Sequence, residues 1–318
     1  SVLGWLGTDS MNPLEFISAG AGSGKTHTLT STLSELLVNA QARPSGVIAT
    51  TFTKKAAAEL RERVRQRLLE QGRFDLASAM GQACIGTVNS VCGQLLQRFT
   101  FEAGLAPDQQ VIDEEQAQAL LLQAIDASRS GGQLNELLLL VDRLGMDNWL
   151  GDLTGLVNQA RANNIDASAL REFAARNADA LLAHFPRPVN DDLSAALLTA
   201  IQHALSRMNA AAQPGGKKNT REYVDNLRRC QSGLEQKCLP WSEWVGLIGS
   251  APEKGLQADA EPVQDIARRV DCHPQLHADI RNWLRLLFDL AADVLTHFQH
   301  AKRMLGVLDF TDQELLTL

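Results

Sequence analysis

A glycine-rich run near the amino terminus could bind the phosphates of a nucleotide. Glycines allow successive backbone N–H groups to face phosphate oxygens, and a helix that begins there adds partial positive charge. We expect Lys25 to contact the β- and γ-phosphates of ATP and the Thr26 hydroxyl to bind Mg²⁺, which makes both residues the predicted catalytic groups. The predicted nucleotide site comprises Ala19, Gly20, Ala21, Gly22, Ser23, Gly24, Lys25, Thr26 and His27.

Two further segments carry side chains that suit single-stranded DNA. Phe52 could stack on a base, and the Thr53 hydroxyl and Lys54 ammonium could hold phosphates. The alternative for Phe52 is a buried residue at the end of a strand. The predicted DNA-contacting residues are Phe52, Thr53, Lys54, Thr87, Asn89 and Ser90.

Other chemistry-bearing residues favour structural interpretations. The arginines from Arg61 to Arg67 are interleaved with Glu59, Glu62 and Glu70, which predicts a solvated helix face with pairs three or four residues apart. The Gly215–Arg221 segment is interpreted as a mobile loop, with DNA contact as the alternative. Four tryptophans are predicted to pack in the core or between domains, and His297 and His300 to lie on the surface. These tryptophans are Trp149, Trp241, Trp244 and Trp283.

Alternating strands and helices must position the first two segments. Apolar, β-branched stretches predict strands at Glu15–Ser18, Val47–Phe52 and Cys84–Val88. Helical patterns follow at Thr26–Ala40, Lys54–Gln71 and Asn89–Phe101. This order predicts a parallel sheet with right-handed crossovers. Ligands gather at the carboxyl ends of parallel strands, so the phosphate loop and the Phe52–Lys54 segment should share one rim.

The character of the chain changes after about Gly104. Only helical periodicity follows from Asp113 to His300, and Asp113 is a predicted helix N-cap with Glu114 and Glu115 in the first turn. We therefore predict an α/β domain over 11–112, an all-helical insertion over 113–305, and a return to the first domain over 306–318. Residues 1–10 are interpreted as a leader or an expression remnant.

Bulk composition excludes several classes of protein. The 318 residues carry a net charge of −7, so any surface for nucleic acid must be local. The five cysteines show no C-x-x-C spacing, which argues against a zinc site or a disulfide framework. No apolar run approaches the roughly 20 residues of a membrane span, and no signal peptide is recognisable. A cytoplasmic location is expected.

Several motifs together resemble the UvrD/Rep type of superfamily 1A helicases, which includes the RecB and AddA helicase–nuclease subunits. Alongside the phosphate loop, Thr51–Val64 is similar to motif Ia, with Lys54 in place of the usual asparagine. Gly86–Cys92 is similar to motif Ib, with Asn89 in place of histidine. Leu308–Asp312 resembles the segment that returns the chain to the first motor domain, and the long interval before it is closer to the RecB/AddA branch.

The resemblance implies a RecA-like domain 1A with a helical domain 1B inserted into it. It implies ATP-driven 3′ to 5′ movement on single-stranded DNA, in repair, recombination or defence, with nuclease or second helicase subunits as further partners. The family's glutamine-centred adenine motif does not precede Glu15, so phosphate contacts should dominate nucleotide binding.

The family's Walker B Asp-Glu pair also has no counterpart up to Leu318. We therefore expect this to be the amino-terminal portion of a longer protein, inactive by itself in ATP hydrolysis. Val307-Leu308-Asp309 is the alternative Walker B strand, although no glutamate follows Asp309. Two other functions stay open: an interaction module that binds ATP and DNA without turnover, and a small-molecule kinase, against which the Phe52–Val64 segment argues.

Overall fold

The computed structural model describes residues 2–3, 15–16, 24–129, 132–210 and 217–318. The chain divides into two compact units. Unit 1 takes in the described residues up to Val111 together with Leu308–Leu318, and unit 2 is Ile112–Val307. Most of the described residues are helical, and short strands occur in unit 1 and at its boundary.

The strands are β1 (Val2–Leu3), β2 (Glu15–Phe16), β3 (Ile48–Thr51), β4 (Cys84–Thr87), β5 (Gln110–Val111) and β6 (Val307–Leu308). The helices of the first half are α1 (Lys25–Val38), α2 (Lys54–Glu70), α3 (Phe74–Ala79), α4 (Val88–Arg98), α5 (Glu114–Ser128), α6 (Gly132–Leu144) and α7 (Trp149–Ala162). Those of the second half are α8 (Ala167–Leu182), α9 (Leu193–Met208), α10 (Lys218–Glu235), α11 (Trp241–Gly249), α12 (Gln257–Ala267), α13 (Pro274–Leu305) and α14 (Phe310–Thr317).

The centre of unit 1 is a parallel pair of strands, β3 and β4. Ile48 is the register partner of Cys84, and the pairing continues to Thr51 and Thr87. Helices α1 and α2 cover a core that includes Leu37, Leu60, Val64, Leu68 and Ile85. In α2 the buried residues recur every three or four positions, which is the period of one helix face. The predicted strands and helices of this region are confirmed within two or three residues.

The first predicted strand has a different partner from the one expected. Within the described residues, β2 pairs with β1 in antiparallel fashion, Val2 with Phe16 and Leu3 with Glu15. The predicted strand residues Ile17 and Ser18 lie outside the described residues. The segment interpreted as a leader thus contributes a strand. Pairing between segments close in sequence costs little loop-closure entropy, which favours such a local ladder over a distant one.

Unit 2 is built on α13, the longest helix, which has 32 residues. Its bounds follow from local chemistry: His273 caps the amino terminus, Pro274 occupies the first turn, and Gly306 ends the helix in the left-handed region at φ 65°. One hydrophobic cluster joins α13 to α5, α6, α7 and α8. A second cluster joins the four helices α9, α10, α11 and α12. Asp113 forms the predicted N-cap of α5, as a capping box with Gln116.

One predicted segment of unit 2 is wrong in part. Helix α10 begins at Lys218, so Lys218–Arg221 are helical, whereas the Gly215–Arg221 segment was interpreted as a loop; Gly215 and Gly216 lie outside the described residues. Helix α12 begins at Gln257 and carries Pro262 within it. Buried Ala260 and Val263 pack that helix into the core, and this burial offsets the hydrogen bond that proline cannot donate.

Two classes of site are missing from the described part of the chain. No helix there has both the length and the apolarity needed to cross a membrane. No group of three or more histidine, cysteine or acidic side chains lies close enough to hold a metal ion.

Candidate functional site

The start of α1 has the form of a phosphate-binding helix terminus. Gly24 precedes it with φ 80°, a conformation that favours glycine. Gly24, the N-cap residue, has no side chain that could cap this end of the helix. Lys25, Thr26 and His27 are exposed in the first turn. These groups fit a triphosphate and Mg²⁺; Ala19, Gly20, Ala21, Gly22 and Ser23 lie outside the described residues.

The two segments predicted to contact DNA are brought together where β3 and β4 end. Thr51 and Thr87 are register partners, so Phe52–Lys54 and Val88–Ser90 leave the sheet side by side. The Phe52 side chain is fully exposed, at 102% of its reference area. That excludes the buried alternative for Phe52. An exposed aromatic ring beside two helix amino termini can stack on a base while the termini attract phosphate.

The threonines of the two segments begin the helices that follow. The Thr53 hydroxyl oxygen accepts from Ala56 N at 3.1 Å, and the Thr87 hydroxyl oxygen accepts from Ser90 N at 3.3 Å. Because each hydroxyl is an acceptor in its cap, its own hydrogen can point outward to a phosphate. Lys54 is exposed in the first turn of α2, as Ser90 is in the first turn of α4.

Asn89 and Gly86 form a tightly packed turn behind this edge. Asn89 is partly buried, and its Oδ1 atom is buried without a hydrogen-bond partner. A Cβ on Gly86 would lie 3.0 Å from Ser90 Oγ and 3.1 Å from Ser90 Cβ, so a larger residue here would push the first turn of α4 away from β4 by a few tenths of an ångström. The Thr51 hydroxyl donates to Thr53 O at 3.0 Å. The turn after β3 is therefore held by its own side chains.

Arg61 is a site-supporting residue that sequence reasoning missed. Its Nη2 donates to the carbonyl oxygen of Ile85 at 2.6 Å and so ties α2 to β4. The predicted solvated face is confirmed for Arg63, which pairs with Glu59, and for Arg65, which holds Glu62 at 2.9 Å. The only available signal for Arg61 was its place one turn after buried Ala57, beside the apolar stripe of α2.

The Leu308–Asp312 segment begins a helix. Asp309 is 4% exposed, and its carboxylate accepts from Asp312 N at 3.1 Å. The Asp312 carboxylate accepts from Asp309 N at 3.0 Å, which completes a capping box at the start of α14. Helix α14 packs on α4, where a Cβ on Gly93 would meet Gln313 Nε2 at 3.0 Å. Both carboxylates serve this cap.

The tryptophans, the histidines His297 and His300, and the Gly215–Arg221 segment were the other candidates in the sequence. Trp241, Trp244 and Trp283 are buried and Trp149 is partly buried against the core, as predicted. His297 and His300 are exposed, also as predicted. In the Gly215–Arg221 segment, Lys217 forms an ion pair with Glu253, and the hydroxyl oxygen of buried Thr220 accepts from Glu253 N at 3.2 Å. Gly215 and Gly216 lie outside the described residues.

A helix that opens on a Gly-Lys-Thr sequence, beside parallel strands that end in exposed turns, is typical of phosphate-loop proteins. The sequence profile of the UvrD/REP helicase N-terminal domain matches residues 9–317. The chain therefore belongs to the UvrD/REP helicase family, represented by its N-terminal domain.

Several curated relatives are similar to this chain over different extents. An ATP-dependent helicase/nuclease subunit from Limosilactobacillus fermentum is 27% identical over 94% of the chain and 26% of its own length. DNA helicase II of Escherichia coli is 34% identical over 35% of the chain and 14% of its own length. The ATP-dependent DNA helicase PcrA of Staphylococcus aureus is 37% identical over 30% of the chain and 12% of its own length. The chain spans about a quarter of the first relative.

Proposed function

We propose that this chain is the ATP-binding portion of a cytoplasmic, ATP-dependent DNA helicase that moves 3′ to 5′ on single-stranded DNA. Unit 1 would correspond to the RecA-like domain 1A, and unit 2 to the helical domain 1B inserted into it. The relatives named as helicase/nuclease subunits support nuclease or second helicase subunits as partners of the parent protein.

The register of β3 and β4 is the observation that carries the proposal. It places Phe52, Thr53 and Lys54 beside Thr87, Asn89 and Ser90, although the two groups are far apart in sequence. One strand of DNA could stack on Phe52 while its phosphates meet Lys54 and the two helix amino termini. A buried Phe52, or strands out of register, would have removed this support.

ATP and Mg²⁺ are the cofactors that the start of α1 supports. Lys25 would contact the β- and γ-phosphates, Thr26 would supply a hydroxyl ligand to Mg²⁺, and the amino terminus of α1 after Gly24 would face the phosphates. The bound nucleotide would supply the energy for translocation. Residues Ala19–Ser23 and His27 complete the proposed nucleotide site.

A strand-displacement assay on the full-length parent protein tests this function. Duplexes with a single-stranded 3′ or 5′ tail are mixed with Mg·ATP, and release of the displaced strand is followed. We expect unwinding of the 3′-tailed duplex alone, and none by the Lys25→Ala parent. Unwinding from the 5′ tail, or unwinding that does not require ATP, would contradict the proposal.

The alternative is an interaction module that binds ATP and DNA without turnover. The capping box of α14 favours it for the 318 residues alone, since the Asp309 and Asp312 carboxylates each accept a backbone N–H there. The gene beyond Leu318 separates the two functions. An Asp-Glu-x-Gln-Asp-like segment within about 50 residues favours the motor.

A further inference from the structure

Unit 2 contains a solvent-accessible cavity that the motor function does not use. Its volume is about 690 Å³, and it lies where the ends of α6, α9, α10 and α13 meet α11. Cavities that take small organic ligands range from about 300 to 1,000 Å³ and combine apolar walls with a few convergent polar groups. Leu193, Leu198, Leu239 and Trp241 supply such walls, and Arg143 and Ser194 are among the polar lining residues.

Arg143 brings hydrogen-bond donors that the protein leaves unused. Its guanidinium lies over the Trp241 ring, 5.3 Å from the ring centroid. Arg143 Nε is 3.2 Å from Asp279 Oδ2 but outside hydrogen-bond geometry, so this contact is ionic. Across the described ranges, Arg143 donates no hydrogen bond. A planar guanidinium with free N–H groups matches the geometry of a carboxylate or a phosphate.

Asp279 is the ionic partner of Arg143 but accepts no hydrogen bond from its guanidinium. The Asp279 carboxylate is almost fully buried and accepts from Trp241 Nε1 at 2.9 Å and from Gln275 Nε2 at 2.8 Å. These two bonds satisfy one lone pair on each carboxylate oxygen. The Arg143 guanidinium is thus held between the Trp241 ring and the buried Asp279 carboxylate.

Ser194 provides a second donor beside Arg143. Gln275 N donates to His273 Nδ1 at 3.0 Å, so the ring hydrogen is on Nε2. That nitrogen is 3.0 Å from Ser194 Oγ and donates to it, which leaves the serine hydrogen for an acceptor in the cavity. In this tautomer His273 cannot take the Ser194 proton. The pair is therefore arranged for binding and not for nucleophilic attack.

The charges around the rim restrict the ligand, because three carboxylates outnumber the one lysine there, Lys237. Asp191 pairs with Arg269 at 2.9 Å, Asp192 caps α9 through Ala195 N, and Glu235 accepts from Gln231. These carboxylates disfavour a multiply charged phosphate, because each adds repulsion. A cation is also disfavoured, since Arg143 already covers the Trp241 face that would attract one.

We propose that this cavity binds a monocarboxylate attached to an apolar or aromatic body. Arg143 and Ser194 donate to the carboxylate, and Leu198, Leu239 and Trp241 contact the body. The carboxylate could belong to a free small molecule or to the last residue of a polypeptide, and both share this chemistry. The proposal does not depend on the motor function.

Calorimetric titration of the 318-residue chain tests the proposal with matched probes. Indole-3-propionate is compared with its uncharged amide, and the peptide acetyl-Gly-Gly-Phe with its amidated form. We expect each carboxylate to bind at least about tenfold more tightly than its amide, since about 1.4 kcal/mol for a charge-assisted bond is a factor of ten. The tighter of the two carboxylates identifies the source. Equal binding of acid and amide, or binding of inorganic phosphate or tetramethylammonium in place of the carboxylates, overturns the proposal.

Two pairs of variants locate the binding. Ala195 is exposed and lines the cavity, whereas its neighbour Ala196 is exposed and does not. We expect Ala195→Trp to abolish carboxylate binding and Ala196→Trp to leave it unchanged. Arg143→Lys keeps the charge beside Asp279 but loses the planar fork, so affinity should fall about tenfold while circular dichroism stays unchanged. Undiminished binding by Ala195→Trp or by folded Arg143→Lys also overturns the proposal.

Discussion

Thr51 and Thr87 are register partners at the last paired position of the parallel strands β3 and β4. The chain turns into a helix immediately after each of them, so the first turns of α2 and α4 begin at one edge of the sheet. This relationship makes Phe52–Lys54 and Val88–Ser90 a single candidate surface. It also means that a change in how α2 packs on β4 should alter both segments together.

Lys25→Ala should weaken Mg·ATP binding by more than tenfold. The lysine is expected to make a charge-assisted contact with the phosphates, and such a contact contributes about 1.5–3 kcal/mol. Isothermal titration calorimetry measures the affinity directly. Lys254→Ala, at an exposed lysine of unit 2, is the control and should bind like the unmodified chain. Equal affinities in the two variants would remove α1 from the nucleotide site.

Phe52→Ala should cost about 1–3 kcal/mol of single-stranded DNA affinity, because the exposed ring would no longer stack on a base. Fluorescence anisotropy with a labelled oligothymidine measures the loss. Phe74→Ala removes another exposed phenylalanine of unit 1, one that is 68% exposed and away from the edge of the sheet, and should change nothing. An equal loss in both variants would point to a general effect of exposed rings.

Lys54→Ala should instead lower the salt dependence of DNA binding. One phosphate contact fewer reduces the slope of log K against log salt by about one, with little dependence on DNA sequence. The same anisotropy titration, repeated at several salt concentrations, gives this slope. Circular dichroism of each variant confirms that it is folded. A slope identical to that of the unmodified chain would exclude Lys54 from the phosphate contacts.

Arg61→Ala should destabilise unit 1 by about 1–2 kcal/mol, because the Ile85 carbonyl oxygen would lose a charge-assisted donor. Arg65→Ala, on the same helix, removes an exposed pair with Glu62 and should stay within about 0.5 kcal/mol. Urea unfolding followed by circular dichroism provides both values. The idea that Arg61 secures α2 on β4 fails if the two variants unfold alike.

The 318-residue chain should show little or no ATPase activity, with or without single-stranded DNA. The carboxylates of Asp309 and Asp312 form the capping box of α14. An arginine finger alone raises the rate of phosphoryl transfer by a factor of about 10³ to 10⁵. A phosphate-release assay tests this expectation. DNA-stimulated ATP hydrolysis at helicase-like rates would be evidence against it. Loss of that activity in Asp309→Asn would identify Asp309 as a catalytic residue.

Stability should fall as the pH is lowered through the range below about 6.5. Burial, and then the charge of Arg143, lowers the pKa of His273, while Asp192 and Asp279 act in the opposite direction and His277 adds to the lowering. The unfolded imidazole therefore takes up a proton near pH 6.5, before the folded one does. This contribution is complete above pH 6.5 and is lost as the pH falls towards the folded pKa.

Urea unfolding between pH 8 and pH 5 measures this dependence. His273→Asn keeps an acceptor for the N-cap of α13 but cannot titrate, so its stability should vary less with pH. Parallel curves for the two proteins would assign the pH dependence to other groups.

The sequence by itself determined the local features of this protein. The Gly-Lys-Thr run, the β-α order and the motifs around Phe52 and Thr87 predicted the family. The N-cap of α5 at Asp113 was also predictable, because capping and helical periodicity depend on residues three or four positions apart.

Only the tertiary structure decided the relationships between distant residues. The register of Thr51 with Thr87, the exposure of Phe52 and the bond from Arg61 to Ile85 depend on how helices pack on strands. The cavity likewise joins Arg143, Ser194 and His273, which no spacing rule connects. Contacts between residues far apart in the sequence depend on the packing of the whole unit, because many alternative strand and helix pairings satisfy the same local sequence pattern.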